Sequence, residues 1–227
     1  MSKLKDEQME QDVLIEYSSR FLHFYRNNKG VVIGTGIGLV LSIALVIGYV
    51  VWSIQQEDEA QILLGQAEEY FMTGELQLAL EGNDEPFEPG FIQIADNYPR
   101  TRAGNLATYY AAVVYFERGE FDNALSYIER FSHPEGVMGV TPVSFHASIL
   151  SELSRYEEAG EKFLEAAEWA ENESMTPYNL IEAAISFESA GASDRAVDIL
   201  DRIIEEYPNS PQVSEAERLK GRLAVSS

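Results

Sequence analysis

The chain has no cysteine, two tryptophans, three histidines, and only 16 basic residues against 38 acidic ones in a length of 227. Without thiols, disulfide frameworks, thiolate metal sites and cysteine nucleophiles are all excluded. A cysteine-free chain is compatible with either redox compartment. The formal charge of -22 repels phosphate backbones and argues against nucleic acid as a partner. What is there, with 45% hydrophobic residues, suffices for a membrane anchor and one compact domain.

The longest apolar run is Val31 to Trp52, which contains no charged residue, Asn, Gln or Pro. Its 22 residues, at ~1.5 Å rise each, cover about 33 Å, close to the ~30 Å hydrocarbon layer of a bilayer. The spacing predicts a transmembrane helix over 30–54, with Tyr49 and Trp52 at its far interface. Arg20, Arg26 and Lys29 precede the span while Glu57, Asp58 and Glu59 follow it. That asymmetry puts the N-terminus in the cytoplasm and the C-terminal part on the far side of the membrane. A cleavable signal peptide, cut after Ser53, is the competing reading. The length of the run, Trp52 beside the cut and the acidic stretch ahead of it all oppose cleavage.

Residues 1–29 form a cytoplasmic tail. Five basic and five acidic side chains cancel between Met1 and Gly30, so the whole -22 falls on 31–227. Met9, Val13, Tyr17 and Phe21 recur every fourth residue, the stripe of an amphipathic helix lying at the interface; a flexible tail that orders only near the membrane is the alternative. Within the span Gly30, Gly34, Gly38 and Ser42 also fall four apart. Such a ridge of small residues suits close docking of a second membrane helix, although glycine is common in membrane spans in any case.

Beyond residue 55 the composition turns to alanine, glutamate, leucine and tyrosine, which favours helix. Three segments repeat: Gly119-Glu120-Phe121-Asp122-Asn123-Ala124, Ser154-Arg155-Tyr156-Glu157-Glu158-Ala159 and Gly191-Ala192-Ser193-Asp194-Arg195-Ala196. Upstream of each lie small residues where helices cross: Ala111 and Ala112, then Ala147, then Ala183 and Ala184. A period of roughly 34 residues with this pattern resembles the tetratricopeptide repeat. Each helix pair has an apolar face it cannot bury alone, so the pairs must stack. Asn97-Tyr98-Pro99-Arg100-Thr101 recurs as Glu206-Tyr207-Pro208-Asn209-Ser210 and marks repeat ends. The pattern predicts repeats at about 58–100, 105–136, 140–173 and 177–208 and a capping helix at 211–224. The first repeat is read as helices at about 58–80 and 90–98 around the loop Glu81–Gly90.

The expected fold is therefore all-α, one N-terminal transmembrane helix followed by a tetratricopeptide-like helical-repeat solenoid at 55–227. The layout resembles the ancillary subunits of the Sec translocon (YfgM-like proteins), with Phe24-Tyr25-Arg26-Asn27-Asn28-Lys29-Gly30 and the segments at 67–70 and 107–112 carrying the likeness. That resemblance implies a place in the bacterial inner membrane, association with Sec translocon subunits and the passing of unfolded clients to periplasmic chaperones. An envelope-assembly or division scaffold that self-associates is the alternative.

A repeat array of this kind binds by the face made from the first helix of each pair. The register places Leu106, Tyr109, Val113 and Phe116, then Ser144, Ser148 and Ser151, then Tyr178, Ile181 and Ile185 along a peptide groove. The Lys, Arg and Asn residues that clamp a C-terminal carboxylate in one subclass are missing. Aromatics at helical spacing are more often core, which weighs against Tyr109, Phe116 and Tyr178 as contacts. Glu157, Glu161, Glu165 and Glu168 share a helix face and read as a solvated surface. His23, His133 and His146 have no clustered partners and read as structural. No nucleophile, metal cluster or phosphate loop is visible; the chain reads as a non-enzyme without cofactor.

Overall fold

The computed structural model describes residues 23–84 and 88–226. Its contacts form two units, Met1–Gln55 and Gln56–Ser227. The expected tail helix through Met9, Val13, Tyr17 and Phe21 lies outside the described residues. Residues 23–27 are helical, and α1 runs over Lys29–Met72. The second unit continues with α2 (Leu76–Glu81), β1 (Gly82–Asn83), β2 (Glu88–Pro89) and α3 (Phe91–Asn97). Then come α4 (Arg102–Glu117), α5 (Phe121–Arg130), α6 (Val137–Glu152) and α7 (Tyr156–Trp169). The chain closes with α8 (Met175–Ser189), α9 (Ser193–Glu206) and α10 (Val213–Ser226).

One turn recurs four times. Gly74, Gly119, Ser154 and Gly191 all have φ between 59° and 82°. Each ends a helix in the left-handed conformation that glycine adopts without penalty. At each, two backbone bonds close the end in the same way. Gly191 N–H donates to Glu188 O at 2.9 Å and Ala192 N–H to Phe187 O at 2.8 Å; Gly74, Glu75 and the other two turns repeat this pairing. The two bonds satisfy carbonyls that the helix end would otherwise leave open.

Counting from this turn fixes a fourfold register. Seven residues before it lie Ala67, Ala112, Ala147 and Ala184, and five after it Ala79, Ala124, Ala159 and Ala196, all at most 1% exposed. These alanines let the two helices of a pair, and neighbouring pairs, approach closely. A large side chain follows one turn later: Ile128, Phe163 and Leu200 are buried, and Phe91 fills the corresponding place in the first pair. Tight crossings recur between pairs as well, since a Cβ on Gly160 would stand 2.8 Å from the Phe187 ring.

The first repeat corrects the sequence-based boundary. Its helices part at Thr73-Gly74-Glu75, not at the Gly/Pro-rich stretch. That stretch instead interrupts the second helix: α2 stops at Glu81, β1 and β2 pair antiparallel with Gly82 opposite Pro89, and α3 resumes at Phe91. Gly82 (φ 78°) and Gly90 pinch the base, where a Cβ on either would collide with backbone across the pair. Tyr70 donates its hydroxyl to Glu88 and ties the hairpin to α1. The segment Gly74-Glu75-Leu76-Gln77-Leu78-Ala79 is a copy of the Gly-Glu-x-x-x-Ala turn at 119–124, and this signal marks the boundary in the sequence.

The core forms three joined clusters. The N-terminal one is aromatic, with Phe91 stacked on Tyr110 at 5.0 Å and Phe71 beside both. The C-terminal one is mostly aliphatic around Leu180, Leu200 and Ile203 and is sealed by Ala216, Leu219 and Leu223 of α10. Glu57 braces the first junction: its carboxylate accepts from the N–H of Arg102 at 2.7 Å and of Ala103 at 3.2 Å, at the start of α4. Burial works to raise its pKa, but those two N–H groups and the Gln61 amide outweigh it and hold the carboxyl below its usual range.

Candidate interaction face

The first helix of each pair (the second-unit part of α1, then α4, α6 and α8) is termed the A helix, and the second (α2 with α3, then α5, α7 and α9) the B helix. The expected groove residues all lie on A helices at matching places in the register. The structure divides them by exposure. Leu106 and Tyr178 are exposed, at 38% and 51%. Tyr109 is half-buried with its ring 5.2 Å from Phe131 and 5.7 Å from Phe145. Phe116 is half-buried against Phe121 and Phe145. Val113 and Ser151 are half-buried, and Ile185 packs partly onto the C-terminal cluster.

Two groups depart from the expected surface. Ile181 is 3% exposed and belongs to the core, so it supports the face rather than lining it. The serine hydroxyls turn back to their own helix: Ser148 donates to Ser144 O at 3.1 Å, and Ser144 lies 3.0 Å from Val140 O and 2.6 Å from Asn179 Oδ1. The fully buried Asn179 is held in turn by its bond to Met175 O. These hydroxyls satisfy neighbouring polar groups, which a buried polar side chain requires.

Sequence reasoning missed Glu182. It stands one helical turn after Tyr178 and is half-buried. Burial, and after it the charge of Glu215 on α10, raises its pKa. The i,i+4 spacing from Tyr178 was the available signal.

The carboxylates Glu157, Glu161, Glu165 and Glu168 on α7 are exposed, and two of them reach arginines of the next repeat. Glu161 pairs with Arg195 at 2.8 Å and Glu168 with Arg202 at 3.7 Å, and Asp96 pairs with Arg130 at 2.7 Å. Each pair joins the B helix of one repeat to the B helix of the next, one repeat length away along the chain. Such exposed pairs stabilise little, about 0–1 kcal/mol each, and serve mainly to match charge between neighbours. His133 and His146 are half-buried, whereas His23 is exposed. Burial, then the Lys162 charge, lowers the pKa of His133, and for His146 the same causes with His133 push it down to about 4. Among the described residues no three His, Asp or Glu side chains converge as metal ligands.

In the first unit, Gly30, Gly34, Gly38 and Ser42 share one exposed face of α1, and Ser42 donates to Gly38 O at 2.9 Å. A Cβ on any of the three glycines would meet nothing within 4 Å, so packing within the chain does not demand glycine there. The apolar part of α1 is long enough to cross a membrane and is exposed along its length.

A long apolar N-terminal helix followed by stacked helix pairs with one recurring turn defines a helical-repeat solenoid. The family model of the tetratricopeptide repeat matches residues 178–210, which cover most of α8, all of α9 and the Tyr207-Pro208 repeat end. The chain thus carries a tetratricopeptide repeat, a unit that generally serves protein–protein interaction. No curated protein matches the chain.

Proposed function

We propose that this protein is a membrane-anchored adaptor: residues 30–54 span the bilayer, and the tetratricopeptide array holds segments of other proteins on its A-helix face. The observation that carries this reading is the fourfold turn, which sets four A helices in one register and leaves Leu106 and Tyr178 exposed on them. Tyr109, Val113, Phe116 and Ile185 form the half-buried floor of that face. The charge change across the span supports a cytoplasmic N-terminus and an external array. The order of tail, span and array supports a place beside the Sec translocon, where emerging polypeptides pass to periplasmic chaperones. Gly30, Gly34, Gly38 and Ser42 are then the face that docks on a neighbouring membrane helix.

In-cell photo-crosslinking with probes at Gly38 and Tyr109 tests this. Translocon subunits at the first probe and secreted precursors or folding factors at the second are the expected captures. Recovery of this chain alone, or of cell-wall assembly factors, at both probes would replace the export role with a self-associating scaffold. Gly34→Leu with Gly38→Leu should abolish co-purification of membrane partners while insertion persists; unchanged partners would remove the ridge from the account.

A further inference from the structure

The A and B helices answer their charges differently. On the B helices and the turns leading into them, Arg118, Arg130, Arg155, Lys162, Arg195 and Arg202 all pair with the chain's own carboxylates. The A helices hold a single base, Arg102 at the first position of α4, and α6 and α8 hold none. Their acids include Glu117, Glu152 and Glu182, and among the described residues none of these three forms an ion pair. Glu182 is the one most withdrawn from water. The charge of Glu215 on α10 acts on it, and it stands one helical turn after Tyr178, whose ring is exposed.

The chain itself displays what covers such a surface. Helix α10 turns Ala216, Leu219 and Leu223 into the C-terminal core, while its Lys220 and Arg222 pair with Asp201 of α9 and Glu188 of α8. A leucine-bearing cationic segment thus seals the last repeat. Around Tyr178 and Glu182 the same apolar and anionic chemistry continues: Arg218 of α10 is taken by Glu215 at 2.8 Å, and among the described residues no ion pair reaches Glu182.

We propose that the A-helix face around Tyr178 and Glu182 takes a lysine- or arginine-bearing apolar segment of a partner protein. This rests on the interaction reading above and narrows it to cationic segments. Glu182 accepts the ammonium or guanidinium group, which relieves a carboxylate pressed by burial and by Glu215. Tyr178 offers the ring face to the same cation and its edge to apolar side chains. Ile185 floors the site.

The test uses the full chain in detergent micelles and fluorescence anisotropy of three dye-labelled peptides: four repeats of Leu-Lys-Tyr-Ser, and the same peptide with Ser or Glu at every Lys. The lysine peptide should bind at least ~10-fold tighter than the serine peptide at low salt, a gap that closes as salt screens the charges. Glu182→Gln should weaken the lysine peptide ~5-fold and leave the serine peptide unchanged, whereas Tyr178→Ala should weaken both by ~10-fold. Because burial already disfavours the Glu182 charge, the Gln variant should fold, and a thermal melt checks this. Glu205→Gln, on the exposed surface of α9, should change nothing; a loss equal to that of Glu182→Gln would mean attraction by net charge alone and would overturn the site. Equal affinity for the three peptides, or binding of none, would also overturn it. Protein capture at Tyr109 in cells would then leave the interaction reading standing, and absence of capture would remove that reading itself.

Discussion

The first helix pair and the last share a turn but not a second helix. In the last, Ser193–Glu206 runs unbroken; in the first, the helix stops at Glu81 and resumes at Phe91, with nine residues between. Yet both bury the same two alanines, Ala67 and Ala79 in one, Ala184 and Ala196 in the other. Phe91 and Leu200 then fill the same place at 0% exposure. A repeat is therefore defined by where small residues let helices cross, and the B helix survives interruption if its next large residue re-enters in register. The linings also differ: Phe71, Phe91 and Tyr110 pack as rings at the first pair, whereas Phe187 stands among aliphatic side chains at the last.

The largest way to break this comparison is Phe187→Ala. The ring is fully buried, under the Arg195 guanidinium at 3.9 Å, and its loss should cost about 3–5 kcal/mol. Because repeats couple mainly to neighbours, hydrogen exchange should speed up over 175–226 while 102–117 stays protected. Equal loss at both ends would show instead that the array unfolds as one unit.

Next in size is the shared turn. Ser154 adopts φ 59°, where the other three turns use glycine. Ser154→Gly should stabilise by about 1 kcal/mol, a rise of roughly 2–4 °C in Tm, and Gly191→Val should destabilise by at least as much. A melt unchanged by either substitution would mean that the turn does not limit stability.

Removing Gly82–Pro89 should make the first pair resemble the last. Gly90 would then sit inside a helix at a cost of about 1 kcal/mol, and the Tyr70–Glu88 bond would go, so a small loss with unchanged helical circular dichroism is expected. Collapse of the array would show that the hairpin is a structural part of the first repeat.

The smallest effect at neutral pH concerns the third repeat. His146 stands where the others carry Gln66, Ala111 and Ala183, and its pKa in the folded chain is about 4 against an ordinary 6.5. The unfolded chain takes up that proton first, so the stability His146 allows is complete above pH ~6.5 and is lost as pH falls toward 4. Glu182 acts in the opposite sense, because its raised pKa adds stability as it protonates. His146→Gln should flatten the fall of Tm between pH 6.5 and 4; the same slope in the variant would assign the effect to other groups.

Much of this was legible in the residues. The period of the Gly-Glu or Ser-Arg turns, the alanines twelve residues before Ala124, Ala159 and Ala196, and the uncharged run to Trp52 each act through local geometry or direct transfer to an apolar medium. A linear pattern records such effects. Only the break between the helices of the first repeat differs from the sequence reading, because proline and glycine at 82–90 are stronger local punctuation than Gly74, although Gly74 is the residue in the left-handed turn.

The sequence by itself determined the helical class, the repeat length and the place of the apolar helix, since all three follow from periodicity and composition along the chain. Only the tertiary structure decided that Ile181 is core while Tyr178, one turn from Glu182, is open. It also decided that Glu161 and Glu168 face arginines of the following repeat, and that the bases of the B helices pair within the chain while Glu182 on an A helix forms no ion pair among the described residues. Those outcomes depend on which neighbours stacking brings together, a relation between distant residues that no local pattern encodes.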